Sequence, residues 1–294
     1  MSILPFDDRD GLIWVDGSVK QWRSAKLHVL THALHYASAV FEGERVYNGR
    51  IFKLLEHSSR LQKSAEYLGF KIPYSIEEIS DACIKMVDLL KIKDGYIRPI
   101  AWRGSEMMGV SAQNTSIHLA IAGWAWPSYF DPEQRTKGIR LQLSKWKRPS
   151  PETAPVQSKA AGLYMICTLS KHAAEENGYD DALMLDWRGR VAESTGANIF
   201  FIFKNELHTP VPDCFLDGIT RRTIIDLAKK RNIKVVERTI ELSEIEFADE
   251  VFLTGTAAEV TPVGQIENYK YKVGDITNNL TEDYLKLVSK DSYI

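Results

Sequence analysis

Gln157-Ser158-Lys159-Ala160-Ala161-Gly162-Leu163-Tyr164 follows a proline-bearing loop and opens a stretch of helical periodicity. Its one cation, Lys159, stands among small residues that leave room for a flat ring. Downstream, Val191-Ala192-Glu193-Ser194-Thr195-Gly196-Ala197-Asn198 ends one expected strand and begins another. A carboxylate at a strand end can face such a ring. A lone lysine at a helix start is most often a surface charge, and a lone glutamate in a turn likewise. The rest of the chain has to decide between these readings.

The chain has 294 residues, 44% hydrophobic and 26% charged, with a formal charge of −2. That length allows about two domains at ~100–200 residues each, and the balance is that of a globular protein with a useful core. A near-neutral charge gives no electrostatic reason to expect nucleic acid or an anionic membrane as partner. No apolar run approaches the ~20 residues that span a bilayer, and Met1 to Asp8 lack the features of a secretory signal. Cys83, Cys167 and Cys214 are too far apart for a metal-ligand spacing and odd in number for a disulfide framework. A reducing cytoplasm is the simplest compartment.

Leu12-Ile13-Trp14-Val15, the Asp16-Gly17 turn signal and the Asn48-Gly49 pair predict hairpins near the start. Two helices follow, one from Leu54 to Leu68 and one opened by a capping box of Ser75 with Glu78. Strands are expected over Tyr96–Trp102 and Ile117–Trp124. Strands, then helices, then strands describe an α+β unit rather than a doubly wound one. The boundaries read as a small N-terminal α/β domain over 1–125, a connecting loop over 126–137 that carries Trp126 and Tyr129, and a larger domain over 138–294. The second half begins with a strand over Ile139–Leu143 and the loop Arg148–Pro155. The Lys159 helix, expected to run to Gly178, comes next. Further strands, a helix from Gly218 to Arg231 and a short helix over Leu280–Val288 complete it.

Several residues could carry chemistry. A lysine that attacks an aldehyde must be neutral, and burial or nearby cations lower its pKa. A carboxylate such as Glu193 facing the pyridine nitrogen of pyridoxal phosphate keeps that nitrogen protonated, so that the ring withdraws electrons from a carbanion. Leu216-Asp217-Gly218-Ile219-Thr220-Arg221 places a glycine before a helix, where free amides can cradle a phosphate. A plain N-cap explains that segment equally well, and Asp217 would have to point away from any phosphate. Thr254-Gly255-Thr256-Ala257-Ala258-Glu259 is a second turn whose amides can hold an anion, or a simple β-turn. Arg60, on the first helix opposite its apolar stripe, is a candidate for bidentate phosphate binding. His28, His32 and His35 lack a carboxylate or cysteine to complete a metal site, and no metal is expected. There is no dinucleotide fingerprint or Walker-type loop.

Together these segments resemble the branched-chain amino-acid aminotransferases of the fold type IV, or class IV, pyridoxal-phosphate enzymes. The match runs from His32 to Val263. It rests on His32-Ala33-Leu34-His35-Tyr36, Val40-Phe41-Glu42-Gly43, Tyr96-Ile97-Arg98-Pro99, Met108-Gly109-Val110, Ser158-Lys159-Ala160, Glu193–Phe200, Gly218–Arg221 and Gly255–Val263. Each is modest alone; their order and spacing are specific.

The resemblance implies two α/β domains with the cofactor, pyridoxal 5′-phosphate, between them. It implies that Lys159 forms the Schiff base and shuttles the substrate proton, that Glu193 meets the ring nitrogen, and that Tyr164 meets the ring hydroxyl. Arg60, Gly218, Ile219, Thr220 and Thr256 would hold the phosphate, and Leu216 would pack on the ring. Thr256, Ala257 and Tyr96 would bind the α-carboxylate. Phe41, Trp126, Tyr129, Met108 and Val110 would line the side-chain pocket, with Met108 and Val110 supplied by the partner of a homodimer. Arg98 and the Tyr36 hydroxyl would receive a second carboxylate. The implied reaction is ping-pong transfer of the amino group between leucine, isoleucine or valine and 2-oxoglutarate. D-amino-acid and (R)-amine aminotransferases and aminodeoxychorismate lyase share Lys159, Glu193 and the phosphate site and differ in the pocket. A non-catalytic α/β binding protein is the alternative from another class.

Overall fold

In a computed structural model, which describes residues 4–126 and 136–289, the chain divides into two compact units. The first holds residues up to 126 together with Ser158–Gly162. The second holds 136–157 and 163–289.

The first unit is built on an antiparallel sheet. Its strands are β1 (Leu12–Val15), β2 (Ser18–Gln21), β3 (Ala39–Phe41), β4 (Glu44–Tyr47), β5 (Arg50–Ile51), β6 (Gly95–Arg103) and β7 (Ile117–Ala125), in the order β2-β1-β7-β6-β4-β5 with β3 also on β6. Asp16 and Gly17 have φ of 47° and 85°, and Asn48 and Gly49 have 50° and 79°. Two successive left-handed residues are what a two-residue hairpin turn requires. The helices are α1 (His32–Tyr36), α2 (Leu54–Tyr67) and α3 (Ile76–Leu90). Ser75 and Glu78 form the expected capping box at α3. Leu61 and Ala65 of α2 and Ile79, Cys83 and Met86 of α3 are fully buried against Ile97, Leu119 and Ile121. Burying a side chain such as Met86 contributes about 1.5–3 kcal/mol, and truncation to Ala would cost about 2–5 kcal/mol. Side chains alternate along a strand, so with Ile97 in this core, Tyr96 and Arg98 share the other face of β6.

The second unit contains β8 (Ile139–Arg148), β9 (Asp181–Asp186), β10 (Val191–Ser194), β11 (Asn198–Phe203), β12 (Glu206–Thr209), β13 (Val235–Glu237), β14 (Glu250–Gly255), β15 (Glu259–Ile266) and β16 (Tyr269–Lys270). The order is β10-β9-β8-β15-β14-β11-β12-β13, and β10 also pairs with β11. That extra pairing closes six strands into a ring and gives β10 a partner on both sides. Ile139, Leu141, Leu183, Ile199, Phe201, Leu253 and Val263 form its core. The helices are α4 (Met165–Glu176), α5 (Ile219–Lys230) and α6 (Asp275–Val288), and α5 and α6 both pack on β14.

Three expectations need correction. Lys159 is not in a helix: Ala160 makes a bridge to Val40, one 3-10 turn occupies Ala161–Tyr164, and the helix starts at Met165. β8 runs on to Arg148, which is therefore a buried strand residue and not part of a loop. The last helix begins at Asp275, fourteen residues long. Cys83, Cys167 and Cys214 are buried free thiols. No described helix is long and apolar enough to cross a membrane.

Candidate active site

In the first unit, Lys159 is fixed by its backbone. The Phe41 N–H donates to the Lys159 carbonyl at 3.1 Å, and the Lys159 N–H donates to Ser64 Oγ at 3.0 Å. Ser158 Oγ donates in turn to the Ser64 carbonyl at 2.8 Å. The ammonium lies 4.9 Å from the centre of the Phe41 ring. Burial and then the charge of Arg60 lower its pKa to about 8, against an opposing pull from Glu42. A lysine so placed is a base at mildly alkaline pH, where an ordinary one is not.

Glu42, fully buried, is the hub beside it. It accepts from Arg60 Nε at 2.6 Å, Arg60 Nη2 at 2.9 Å and His57 Nδ1 at 2.7 Å. Burial opposes its ionisation, but Arg60 and His57 hold the carboxyl well below the usual range. Burial pulls His57 down in spite of Glu42, so a neutral imidazole donates through Nδ1–H. The forked edge of Arg60, expected to grip a phosphate, is therefore engaged on Glu42. Glu44, two residues on, is driven the other way. Burial first, and then the Glu42 charge, push its carboxyl well above the usual range, beside the Cys83 thiol.

On the other face of β6, Arg98 Nη2 donates to the Tyr96 hydroxyl at 3.3 Å, with its guanidinium 4.8 Å from the Phe41 ring centre. Trp126 packs edge-on to Tyr96 at 4.9 Å. Tyr129 lies outside the described residues. Gly43 is what lets Tyr96 in, because a Cβ there would stand 1.7 Å from the tyrosine hydroxyl. The Tyr36 hydroxyl, expected to join Arg98, donates instead to the Met108 carbonyl at 3.1 Å. His32 pins the same loop, with its ring Nε2 3.1 Å from the Gly109 carbonyl. Met108 and Val110 are 39% and 83% exposed in the single chain.

In the second unit, Glu193 stands where the ring of strands closes, directly opposite Asn198. Its Oε2 accepts from Asn198 Nδ2 at 3.1 Å, and its Oε1 lies 3.5 Å from Arg148 Nε. Arg148 is only 4% exposed. Burial disfavours its charge, yet Glu193 raises its pKa, and Tyr164 acts in the same direction. Its Nη1 also donates to Cys167 Sγ at 3.4 Å, and burial pushes that thiol up to about 11.

Both turns expected to bind an anion lie at this end of the unit. Gly218 is the N-cap of α5 in extended conformation, with no side-chain cap and no acidic residue in the first turn. Ile219 and Thr220 are buried. Asp217 faces away, onto Arg221 Nη1 at 2.8 Å. Thr256, Ala257 and Ala258 make the tight connection from β14 to β15, closed by Glu259 at φ 55°. Among the described residues Asp186, Asp213 and Cys214 form the one group close enough to share a cation, and Arg188 already donates to both carboxylates.

Sequence reasoning singled out Lys159, Glu193 and the two turns. It missed Glu42, His57, Ser64, Arg148 and Asn198 as partners. Glu42 and Asn198 lay within quoted motifs, whereas His57, Ser64 and Arg148 lay in none.

The family model for amino-transferase class IV matches residues 39–266. A probable branched-chain-amino-acid aminotransferase of Rickettsia conorii is 45% identical over 280 residues, 94% of this chain and 95% of its own length. The solved branched-chain amino acid aminotransferase of Escherichia coli superposes with a TM-score of 0.93 at 34% identity, covering 97% of this chain and 98% of that one. A second solved enzyme, the T.th. branched-chain amino acid aminotransferase complexed with N-(5′-phosphopyridoxyl)-L-glutamate, gives 0.91 at 37% identity, covering 96% and 95%. The chain is thus an enzyme of fold type IV, a class IV aminotransferase that belongs to the branched-chain-amino-acid aminotransferase family.

Proposed function

We propose that this enzyme transfers the amino group between L-leucine, L-isoleucine or L-valine and 2-oxoglutarate, with pyridoxal 5′-phosphate as its cofactor. The observation that carries the reading is Lys159, whose pKa is lowered to about 8 while its backbone is held on both sides. The residues fit that cofactor. There is an amine of lowered basicity, a buried carboxylate ion-paired to Arg148, and a helix whose first turn has no acidic side chain. The phosphopyridoxyl-glutamate of the T.th. relative supports the same cofactor and an amino-acid substrate.

When bound, pyridoxal phosphate supplies the electron-withdrawing ring that makes the substrate's α-hydrogen acidic. Lys159, with its amine of lowered basicity, would be the base that takes this proton and the acid that returns it. Glu193, kept in place by Asn198 and Arg148, holds a proton on the ring nitrogen, and Tyr164 donates to the ring hydroxyl. Gly218, Ile219, Thr220 and Thr256 would bind the phosphate through amides and hydroxyl, Leu216 would pack on the ring, and Arg60 would contribute a cation already oriented by Glu42. Tyr96, Thr256 and Ala257 orient the α-carboxylate. Phe41, Trp126 and Tyr129 exclude water from an aliphatic side chain, and Arg98 receives the second carboxylate of glutamate, with Tyr36 turning from Met108 to assist.

We assign the two units to the small and large domains. The exposure of Met108 and Val110 supports a homodimer in which a partner covers them. A cytoplasmic location suits three reduced thiols. The test is a panel of half-reactions with L-leucine, D-alanine and (R)-1-phenylethylamine, followed by the cofactor's absorbance. L-leucine should react fastest, and Lys159→Ala should lose the activity. Preference for D-alanine would overturn the pocket assignment, and leucine transamination by Lys159→Ala would overturn the mechanism.

A further inference from the structure

Asn198 uses its whole side-chain amide inside the second unit. One Nδ2 hydrogen goes to Glu193 Oε2 at 3.1 Å and the other to the Leu216 carbonyl at 3.0 Å, while Oδ1 accepts from the Gly218 N–H at 3.2 Å. The network fixes the orientation of the amide. Turned over, it would set an oxygen against two acceptors and an NH2 against a donor. The residue is 4% exposed, so water is poorly placed to replace these partners. Its backbone is equally constrained, paired with Glu193 on one side and Thr254 on the other. Gly218 is shaped to the amide as well, since a Cβ at 218 would lie 2.2 Å from Oδ1.

These contacts join two parts of the candidate site that are distant in sequence. One is the carboxylate on β10. The other is the turn that opens α5, which has no side-chain cap of its own. We propose that Asn198 is a positioning residue: a single amide sets both the Glu193 carboxylate and the Leu216–Gly218 turn, so that ring recognition and phosphate recognition are coupled through it. The inference rests on the pyridoxal phosphate reading given above. Removing the amide leaves a buried carboxylate oxygen, a carbonyl and an N–H without their partner, and losses of this kind weaken a site by about tenfold or more.

The experiment measures dissociation constants of three probes, pyridoxal 5′-phosphate, pyridoxal and inorganic phosphate. The proteins are the wild type, Glu193→Gln, Asn198→Ala and Asn198→Asp. Wild type that takes up no pyridoxal phosphate would refute the underlying reading, and this inference with it. Given uptake, Glu193→Gln should weaken pyridoxal while leaving inorganic phosphate unchanged, whereas Asn198→Ala should weaken each of the two by about tenfold or more. Asn198→Asp keeps the shape and the acceptor for Gly218 but faces two acceptors with a carboxylate. Its affinity for pyridoxal phosphate should recover relative to wild type as the pH falls and that carboxyl gains a proton to donate. A residue that merely supports the fold would show no such recovery. If Asn198→Ala moves only one probe, or neither, the coupling is refuted. If Asn198→Ala does not fold, the pH response of Asn198→Asp decides, and a flat response overturns the proposal.

Discussion

Glu42→Gln isolates the charge that balances Arg60 beside Lys159. The carboxylate is fully buried and takes three hydrogen bonds of 2.6, 2.9 and 2.7 Å from two side chains. A glutamine has nearly the same shape, but it replaces one acceptor with a donor that faces Arg60 or His57, and it leaves the guanidinium uncompensated. Breaking a buried pair in this way costs about 3–5 kcal/mol. The same change acts on Lys159, because Arg60 lowers its pKa and Glu42 raises it. Without Glu42 the lysine should titrate below its value of about 8. The direction for stability follows. A lysine whose pKa is depressed on folding binds fewer protons folded than unfolded between about 8 and its ordinary 10.5, so this group makes stability rise with pH across that window. Glu42→Gln should widen the window at its lower end. Two assays apply to protein stripped of bound small molecules: urea unfolding, and competitive acylation of Lys159 followed by mass spectrometry. Stability within about 0.5 kcal/mol of wild type, the range of an ordinary surface substitution, would refute the reasoning. So would an upward shift of the Lys159 midpoint.

Three further perturbations test other parts of the molecule. Gly43→Ala places a Cβ 1.7 Å from the Tyr96 hydroxyl, so Tyr96 must leave Arg98 and Trp126; overpacking should cost about 1–3 kcal/mol, and KM for the amino acid should rise, an unchanged KM counting against the role of Tyr96. Glu44→Gln should stabilise the protein increasingly as the pH rises above 4.5, because the folded state holds the Glu44 proton that the unfolded chain releases there; a difference in unfolding free energy that stays flat with pH would count against it. Val110→Asp should leave the stability of the single chain within about 0.5 kcal/mol but weaken self-association, since the side chain is 83% exposed. Sedimentation showing an undisturbed dimer at low protein concentration would disprove that role for Val110.

What could be read from the sequence was mostly local chemistry. Asp16-Gly17, Asn48-Gly49 and the Ser75–Glu78 box each specify a turn or a cap within four residues, and the structure has all three. The Lys159 segment misled because Ala160, Ala161 and Gly162 carry no pattern that opposes a helix. What overrides local preference there is a tertiary bridge from Ala160 to Val40 and the hold of Ser64 on the lysine. β8 continued past Leu143 because Lys147 and Arg148 pair with Leu185 and Asp186 beyond a register shift, and charged residues near a proline do not announce a strand. The partners of the candidate residues were invisible for a related reason. Glu42 meets Arg60 eighteen positions away, and Asn198 meets Gly218 twenty positions away. Neither spacing has a periodicity to betray it.

The path of the chain through its two units has a consequence for recombination. Ser158–Gly162 belongs to the first unit although the chain on either side of it belongs to the second. No single cut therefore separates the units. A fragment ending at residue 126 would lack the Ala160 bridge to Val40 and the partners of Ser64. A fragment starting after it would carry Lys159 without the surroundings that lower its basicity. In gene-shuffling terms the lysine and its electrostatic setting cannot be inherited as one contiguous cassette. A chimera that joins an N-terminal half from one relative to a C-terminal half from another splits Arg60 and Glu42 from the lysine they tune, so its parents must match at those positions.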